Sequence, residues 1–125
     1  MLKFFKCSHC GNIVEMIEES GVPVVCCGDK MGLMEPNTTD AATEKHVPVI
    51  EVEGREVVVK VGSVEHPMVP EHHISWIVLE TNFGAQRKYL DHEGKPEARF
   101  SLLEGEEVIA AYEYCNLHGF WKAAF

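Results

Sequence analysis

The sequence predicts an all-β protein in which a small metal-stapled N-terminal domain precedes an antiparallel β-sandwich or barrel. Residues 1–36 hold four of the five cysteines and only scattered apolar residues, so this segment needs a metal ion to fold. The remaining residues form short β-branched runs separated by glycine turns, and no stretch has a convincing helical period. We therefore expect two domains, at residues 1–36 and 37–125.

The strands of each domain follow from the same pattern. In the N-terminal domain we expect two short strands at residues 13–17 and 22–25, joined by a turn at residues 19–21. A linker or turn follows at residues 36–40. In the C-terminal domain we expect six strands, at residues 47–52, 56–61, 74–79, 86–90, 98–103 and 107–114.

Composition and charge exclude several classes of partner. The formal net charge of −9 argues against nucleic acid or an anionic membrane, because both select basic surfaces. No apolar run approaches the roughly 20 residues needed to cross a bilayer.

The residues before the first cysteine are too few for a signal peptide, which favours a cytoplasmic protein. An odd number of cysteines in that reducing compartment indicates metal binding or chemistry rather than disulfides.

Four cysteines in the N-terminal domain predict a site of four thiolates. Cys7 and Cys10 form a Cys-x-x-Cys turn, and Cys26 and Cys27 are adjacent and followed by Gly28. Adjacent cysteines normally point apart, so both can bind one ion only if the backbone is distorted, and the glycine offers that freedom. The count alone favours zinc, but zinc ribbons carry two separated pairs, and the vicinal pair favours iron. No βαβ pattern supports a thioredoxin-like redox pair.

A second constellation combines four histidines with the fifth cysteine: His46, His66, His72, Cys115 and His118. This ligand set suits a redox-active transition metal better than a structural one. Four imidazoles in a plane would leave one axial position for the thiolate and the opposite position open to a small molecule. Backbone N–H groups two and three residues after the cysteine could reach back to its sulfur. The other lone histidines, His9 and His92, are expected to be surface or hydrogen-bonded residues.

Two charged residues precede His46. The ammonium group of Lys45 could attract a small anion to the open position, and the carboxylate of Glu44 could occupy that position in the absence of substrate. Their spacing alone favours the alternative that both are charges of a solvated loop.

Taken together, these motifs resemble the desulfoferrodoxin family of two-iron superoxide reductases over essentially the whole chain. The shared motifs are Cys7-x-x-Cys10 with Cys26-Cys27, Glu44-Lys45-His46-Val47-Pro48, His66-Pro67-Met68 with His72, Ile74-x-Trp76-Ile77, and Cys115-Asn116-x-His118-Gly119.

The resemblance implies a desulforedoxin-like N-terminal domain with an Fe(Cys)4 centre and an immunoglobulin-like β-sandwich with a square-pyramidal Fe(His)4(Cys) centre. It implies a homodimer that reduces superoxide to hydrogen peroxide without releasing dioxygen, with rubredoxin or a similar small carrier as electron donor. On this pattern Cys115 is the axial ligand, Lys45 attracts superoxide and Glu44 closes the oxidised site. The equatorial ligands are His46, His66, His72 and His118.

One ligand assignment depends on neighbouring residues. The family commonly has an aromatic residue where this chain has His73, and its loop differs at Val69-Pro70. We assign His72 because it lies six residues after His66 and because strand alternation sends His73 to the opposite side. Two other functions remain open: a non-catalytic iron electron-transfer or storage protein, and a zinc-stabilised interaction domain.

Overall fold

The computed structural model describes residues 1–125 and divides into two compact units, Met1–Glu35 and Pro36–Phe125. The first unit has a three-stranded antiparallel sheet and a two-stranded hairpin. Besides Cys7, its only buried apolar side chains are Phe4 and Met31. The sheet has the order β2-β1-β5 and the hairpin pairs β3 with β4, where the strands are β1 (Phe4–Lys6), β2 (Ile13–Glu15), β3 (Val25–Cys26), β4 (Asp29–Lys30) and β5 (Gly32–Leu33).

The predicted pairing within the first unit is wrong. Residues 13–15 pair with β1 rather than with residues 22–25, and the chain reverses at the Cys7–Cys10 turn instead of at residues 19–21. Likewise, β3 and β4 are joined by Cys27 and Gly28, with Cys26 opposite Asp29. The cysteine turns are therefore the tight turns of the unit, and they override the local turn signal at Gly21.

The second unit is a β-sandwich, as predicted, but it has seven strands instead of the expected six, and seven is the strand number of an immunoglobulin-like sandwich. One sheet has the order β10-β7-β6 and the other the order β12-β11-β8-β9, with antiparallel neighbours throughout. The strands are β6 (Pro48–Glu53), β7 (Glu56–Val61), β8 (Ile74–Thr81), β9 (Gly84–Tyr89), β10 (Glu97–Ser101), β11 (Val108–Cys115) and β12 (Gly119–Ala124).

The core lies between these two sheets. Alternate residues of β7 face inward, so that Val57, Val59 and Val61 are buried and pack with Phe100 of the same sheet. The opposite sheet contributes, among others, Ile74, Ile77, Leu79 and Ala111. Cys115 belongs to the same cluster and is 0% exposed, so the sandwich core itself holds this sulfur in place.

Two elements differ from the sequence-based expectation. A single turn of helix, α1 (Thr43–His46), precedes β6 although no helix was expected, and it is too short to show a helical period. Strand β12 was not predicted because its residues follow directly on the Cys115–His118 loop.

No helix in the structure is long and apolar enough to span a membrane.

The pairing register places four chain segments at one end of the sandwich. Pro48 at the start of β6 pairs with Val61 at the end of β7, and Ile74 at the start of β8 pairs with Cys115 at the end of β11. The segments that lead into or out of these four residues therefore meet at this end, and they carry the residues of the second constellation.

Candidate metal centres

Five side chains converge at that end of the sandwich. Their potential ligand atoms all lie within 4.8 Å of one another, and the residues are His46, His66, His72, Cys115 and His118. His46 ends α1. His66 and His72 lie in the segment between β7 and β8, and Cys115 and His118 flank the turn between β11 and β12. The structure thus brings together all five residues that the spacing singled out.

The four imidazole rings form a closed cycle. Ring centroids of neighbouring pairs are 4.8 Å apart for His46 and His66, 4.6 Å for His66 and His72, 5.1 Å for His72 and His118, and 4.9 Å for His118 and His46. Neighbouring rings are close to perpendicular, at 77° to 88°. Four ligands arranged in this way can surround one ion in a plane.

Backbone carbonyls orient two of the rings. The Nδ1 atom of His46 lies 2.7 Å from the carbonyl oxygen of Ala42, and that of His66 lies 2.7 Å from the carbonyl oxygen of Pro67. An Nδ1–H that donates to these carbonyls leaves Nε2 as the free lone pair, which is how metal-binding histidines are usually held. His118 is turned the other way, with its Nδ1 only 3.1 Å from Nε2 of His46.

The site favours neutral imidazoles, which metal binding requires. Burial lowers the pKa of His66 to about 4, and it also lowers the pKa values of His46 and His72. Nε2 of His72 is buried without a hydrogen-bond partner. A buried lone pair without a donor is costly in an empty protein and is satisfied by a metal ion, so the donor set fits a transition metal.

Cys115 supplies the only sulfur of this cluster. Its Sγ lies 3.5 Å from Nε2 of His66 and 3.9 Å from Nδ1 of His118. Burial raises the pKa of the thiol, while the backbone N–H groups of His118, at 3.4 Å, and of Leu117 lower it. The prediction that N–H groups two and three residues on reach back to this sulfur is confirmed.

Sequence reasoning missed two residues that shape this site. Trp121 on β12 stacks on the His46 ring at 4.9 Å and donates its Nε1–H to the carbonyl of His118. Gly62 lies against the backbone of α1, because a Cβ atom there would be 2.6 Å from the carbonyl oxygen of Glu44. The stacking of Trp121 on His46 and the contact of Gly62 with Glu44 join segments distant in sequence, so local spacing carries no signal for them.

Glu44 and Lys45 lie on α1, beside His46, and both side chains are exposed. The positive charge of Lys45 contributes to lowering the pKa values of both His46 and His72, so its field reaches two sides of the cluster. The backbone of Glu44 is fixed, since its carbonyl accepts hydrogen bonds from the N–H of Val64 at 2.9 Å and the hydroxyl of Ser63 at 3.3 Å.

The adjacent histidines have different surroundings. His72 joins the cluster, whereas His73 points to the other side, where its Nδ1 lies 3.0 Å from the carbonyl of Pro70 and its ring stacks on His92 at 3.5 Å. His9 in the first unit bonds the carboxylate of Asp29. His9, His73 and His92 therefore all contact other protein groups and lie outside the clustered ligands.

The four cysteines of the first unit also converge, with all Sγ atoms within 4.8 Å. The Sγ atoms of Cys10 and Cys26 are 3.6 Å apart, and those of Cys26 and Cys27 are 4.0 Å apart. The expected backbone distortion is present: Cys27 has a φ of +52° and Gly28 a φ of +79°. A left-handed conformation is unfavourable for cysteine, so it indicates that the surrounding contacts hold the sulfur in this position.

These thiols cannot all ionise side by side. Hydrogen bonds from the backbone N–H groups of Cys10 and His9 lower the pKa of Cys7 to about 6. Crowding by the sulfurs of Cys10, Cys7 and Cys26 raises the pKa of Cys27 to about 12. A bound cation removes this conflict, because it stabilises all four thiolates together. The site therefore fits a metal ion held by four cysteines.

Comparison with known proteins agrees with both sites. The family model described as desulfoferrodoxin matches residues 38–124, and the model of the desulfoferrodoxin N-terminal domain matches residues 1–34. A desulfoferrodoxin of Syntrophotalea carbinolica is 50% identical over 122 residues, which cover 98% of this chain and 95% of that protein.

Solved structures extend the likeness to the fold. The superoxide reductase of Treponema pallidum is 46% identical, with a TM-score of 0.83 and a coverage of 98% of both chains. A one-iron superoxide reductase of Giardia intestinalis is 33% identical with a TM-score of 0.54, and the match covers 66% of this chain and 97% of that one. With its four-cysteine and four-histidine, one-cysteine sites, the chain belongs to the two-iron desulfoferrodoxin family.

Proposed function

We propose that this chain is a superoxide reductase of oxidative-stress defence. In this reaction one superoxide anion takes up one electron and two protons to give hydrogen peroxide, and no dioxygen is released. The observation that carries the proposal is the closed cycle of four imidazoles with Cys115 beside it and the exposed Lys45 next to it. The relatives named superoxide reductase support it.

The clustered residues are the proposed iron ligands. In the second unit Cys115 and the four imidazoles would hold one iron, and in the first unit Cys7, Cys10, Cys26 and Cys27 would hold the other. Iron bound by the five second-unit residues would supply the electron for superoxide. The buried sulfur of Cys115 would donate charge to this iron, and the N–H groups of Leu117 and His118 would moderate that donation.

Lys45 and Glu44 have separate proposed roles. The ammonium group of Lys45 attracts superoxide to an otherwise acidic protein and helps to supply protons to the product. The carboxylate of Glu44 closes the oxidised site. Both roles are supported by their place on α1, directly before His46.

The remaining assignments concern the setting of the reaction. We propose that the functional domains are residues 1–36 and 37–125, that the protein is a cytoplasmic homodimer, and that rubredoxin or a similar carrier provides electrons. Five free cysteines support a reducing compartment. The exposed apolar side chains of Ile17 and Val22 in the first unit support an interface between subunits.

Anaerobic stopped-flow mixing of the reduced, iron-loaded protein with superoxide tests the activity. We expect one hydrogen peroxide for each oxidised iron of the histidine site and no dioxygen. Dioxygen beside peroxide would indicate a dismutase. The absence of any reaction, together with failure of azide or cyanide to bind this iron, would favour the alternative of a non-catalytic electron-transfer protein.

Replacement of Lys45 by isoleucine tests the electrostatic role. We expect a slower second-order reaction with superoxide and a weaker dependence on ionic strength, with unchanged iron content. Lys88→Ile is the matched control, because it removes the same charge from an exposed position on β9. Equal rates for the Lys45 variant and the parent at low salt would exclude Lys45 from the mechanism.

A further inference from the structure

His72 is held differently from the other three clustered histidines. His46 and His66 are oriented by carbonyls at Nδ1, and the backbone N–H of His118 donates to the sulfur of Cys115. The ring of His72 makes no hydrogen bond to another protein group, and its Nε2 is buried without a partner. Backbone contacts therefore set the position of this ligand, and its own N–H and carbonyl pair with Val69 at 3.1 and 3.0 Å.

The backbone on both sides of His72 is bound by the side chain of Asn116. The Oδ1 atom accepts the N–H of His73 at 2.8 Å, and Nδ2 donates to the carbonyl of Glu71 at 2.9 Å. The backbone N–H of Asn116 also donates to the carbonyl of His73 at 3.2 Å. These three hydrogen bonds form what we call the Asn116 clamp.

The same arrangement occurs at the opposite end of the sandwich, where no ligand is involved. Asn82 accepts the N–H of Glu107 at 2.7 Å, donates Nδ2–H to the carbonyl of Gly105 at 2.9 Å, and donates its own N–H to the carbonyl of Glu107 at 3.1 Å. It thus encloses Glu106 as Asn116 encloses His72. Both asparagines directly follow a central strand, β8 or β11, and both are exposed.

We propose that Asn116 is a positioning residue for the metal ligand His72. Asn116 follows Cys115 in the chain, so the clamp ties the backbone around His72 to that of Cys115. It replaces the ring hydrogen bond that His72 lacks. The inference rests on the ligand set of the proposed function, but not on the reaction with superoxide.

The test compares Asn116→Ala with Asn82→Ala, which removes the same two side-chain hydrogen bonds away from the metal. Ferrous iron is loaded anaerobically, and its release from each site is followed against a competing chelator, with the four-cysteine iron as internal reference. We expect Asn116→Ala to weaken iron binding at the histidine site by about 10- to 100-fold, the usual effect of residues that orient metal ligands. Asn82→Ala should leave iron binding unchanged.

Melting of both metal-free variants separates positioning from general stability. Similar losses of melting temperature with a loss of iron affinity in Asn116→Ala alone would support the proposal. Equal iron affinities in the two variants would overturn it. Should Asn116→Ala fail to fold, Asn116→Asp retains the Oδ1 acceptor and replaces the donor to Glu71 by a charged oxygen that repels that carbonyl. A parent-like iron affinity in that variant would also overturn the proposal, whatever its activity with superoxide.

Discussion

The two metal sites of this chain are held in opposite ways. In the first unit the cysteines lie on turns between very short strands, Cys10 and Cys27 are exposed, and few apolar side chains are buried. In the second unit the ligands lie at the end of a sandwich with a continuous core, and His46, His66 and Cys115 are buried.

The two units differ in whether the metal stabilises the fold or the fold positions the metal. Besides Cys7, the first unit buries only the apolar side chains Phe4 and Met31, which is a small core for an ordered unit of this size. We therefore expect the metal to stabilise this fold. In the second unit a continuous core supports the fold, and we expect that fold to position the metal.

The largest expected effect comes from breaking the first site. Cys10→Ser should remove its iron and unfold Met1–Glu35, because binding of a structural metal contributes about 10 kcal/mol or more to folding. The sandwich should keep its structure and its own iron. Hydrogen exchange resolved along the chain, combined with iron analysis, measures both. Protected backbone amides in an iron-free first unit would show that this unit folds without its metal, contrary to the expectation.

Breaking the second site should have the converse result. We expect His72→Ala to lose most of the iron at the histidine site while the sandwich stays folded, with a stability change of about 1 kcal/mol. His73→Ala, the adjacent control, should keep the iron because that ring contacts only carbonyls and His92. The iron content and melting curves of both variants are the measurement. Iron retained by His72→Ala and lost by His73→Ala would reverse the ligand assignment.

A smaller effect is expected where the sandwich supports α1. Gly62→Ala places a Cβ atom against the backbone of Glu44 and should destabilise the second unit by about 1–3 kcal/mol. It should also slow the reaction with superoxide, because α1 carries Lys45. Gly32→Ala in the first unit is the control, since its new Cβ would lie 4.0 Å from the nearest atom. Stability is measured by denaturant unfolding and the reaction rate by stopped flow. Values for Gly62→Ala equal to those of the control would show that Gly62 does not support the site.

The smallest effect is expected far from either metal. The N–H of Leu103 and the hydroxyl of Thr81 lower the pKa of Glu106, so its charged form stabilises the fold above its unfolded pKa. This contribution is lost as the pH falls through the lowered pKa of the folded protein. Glu106→Gln should therefore be less stable than the parent at pH 7, with a difference that disappears in acid. A difference that grows in acid, measured by denaturant unfolding, would contradict this assignment; the iron content serves as the control.

Sequence patterns predicted the sandwich well and the first unit poorly, for a physical reason. The hairpin of β6 and β7 and the strand starting at Ile74 follow from β-branched alternation around a hydrophobic core. In the first unit no core enforces a pairing, so the position of the turns decides it. Gly21 carries a strong local turn signal, but the reversal occurs at Cys7–Cys10 because the sulfurs must converge.

The amino-acid sequence by itself determined the chemistry of this protein: which nine side chains can act as soft or imidazole ligands, and that His72 rather than His73 faces inward. Ligand type is a property of the residue, and facing direction follows from strand alternation. Only the tertiary structure decided how the ligands are held. The cycle of rings, the packing of Gly62 on α1 and the Asn116 clamp join segments far apart in the chain, and such contacts arise only when the strands pair and the two sheets pack.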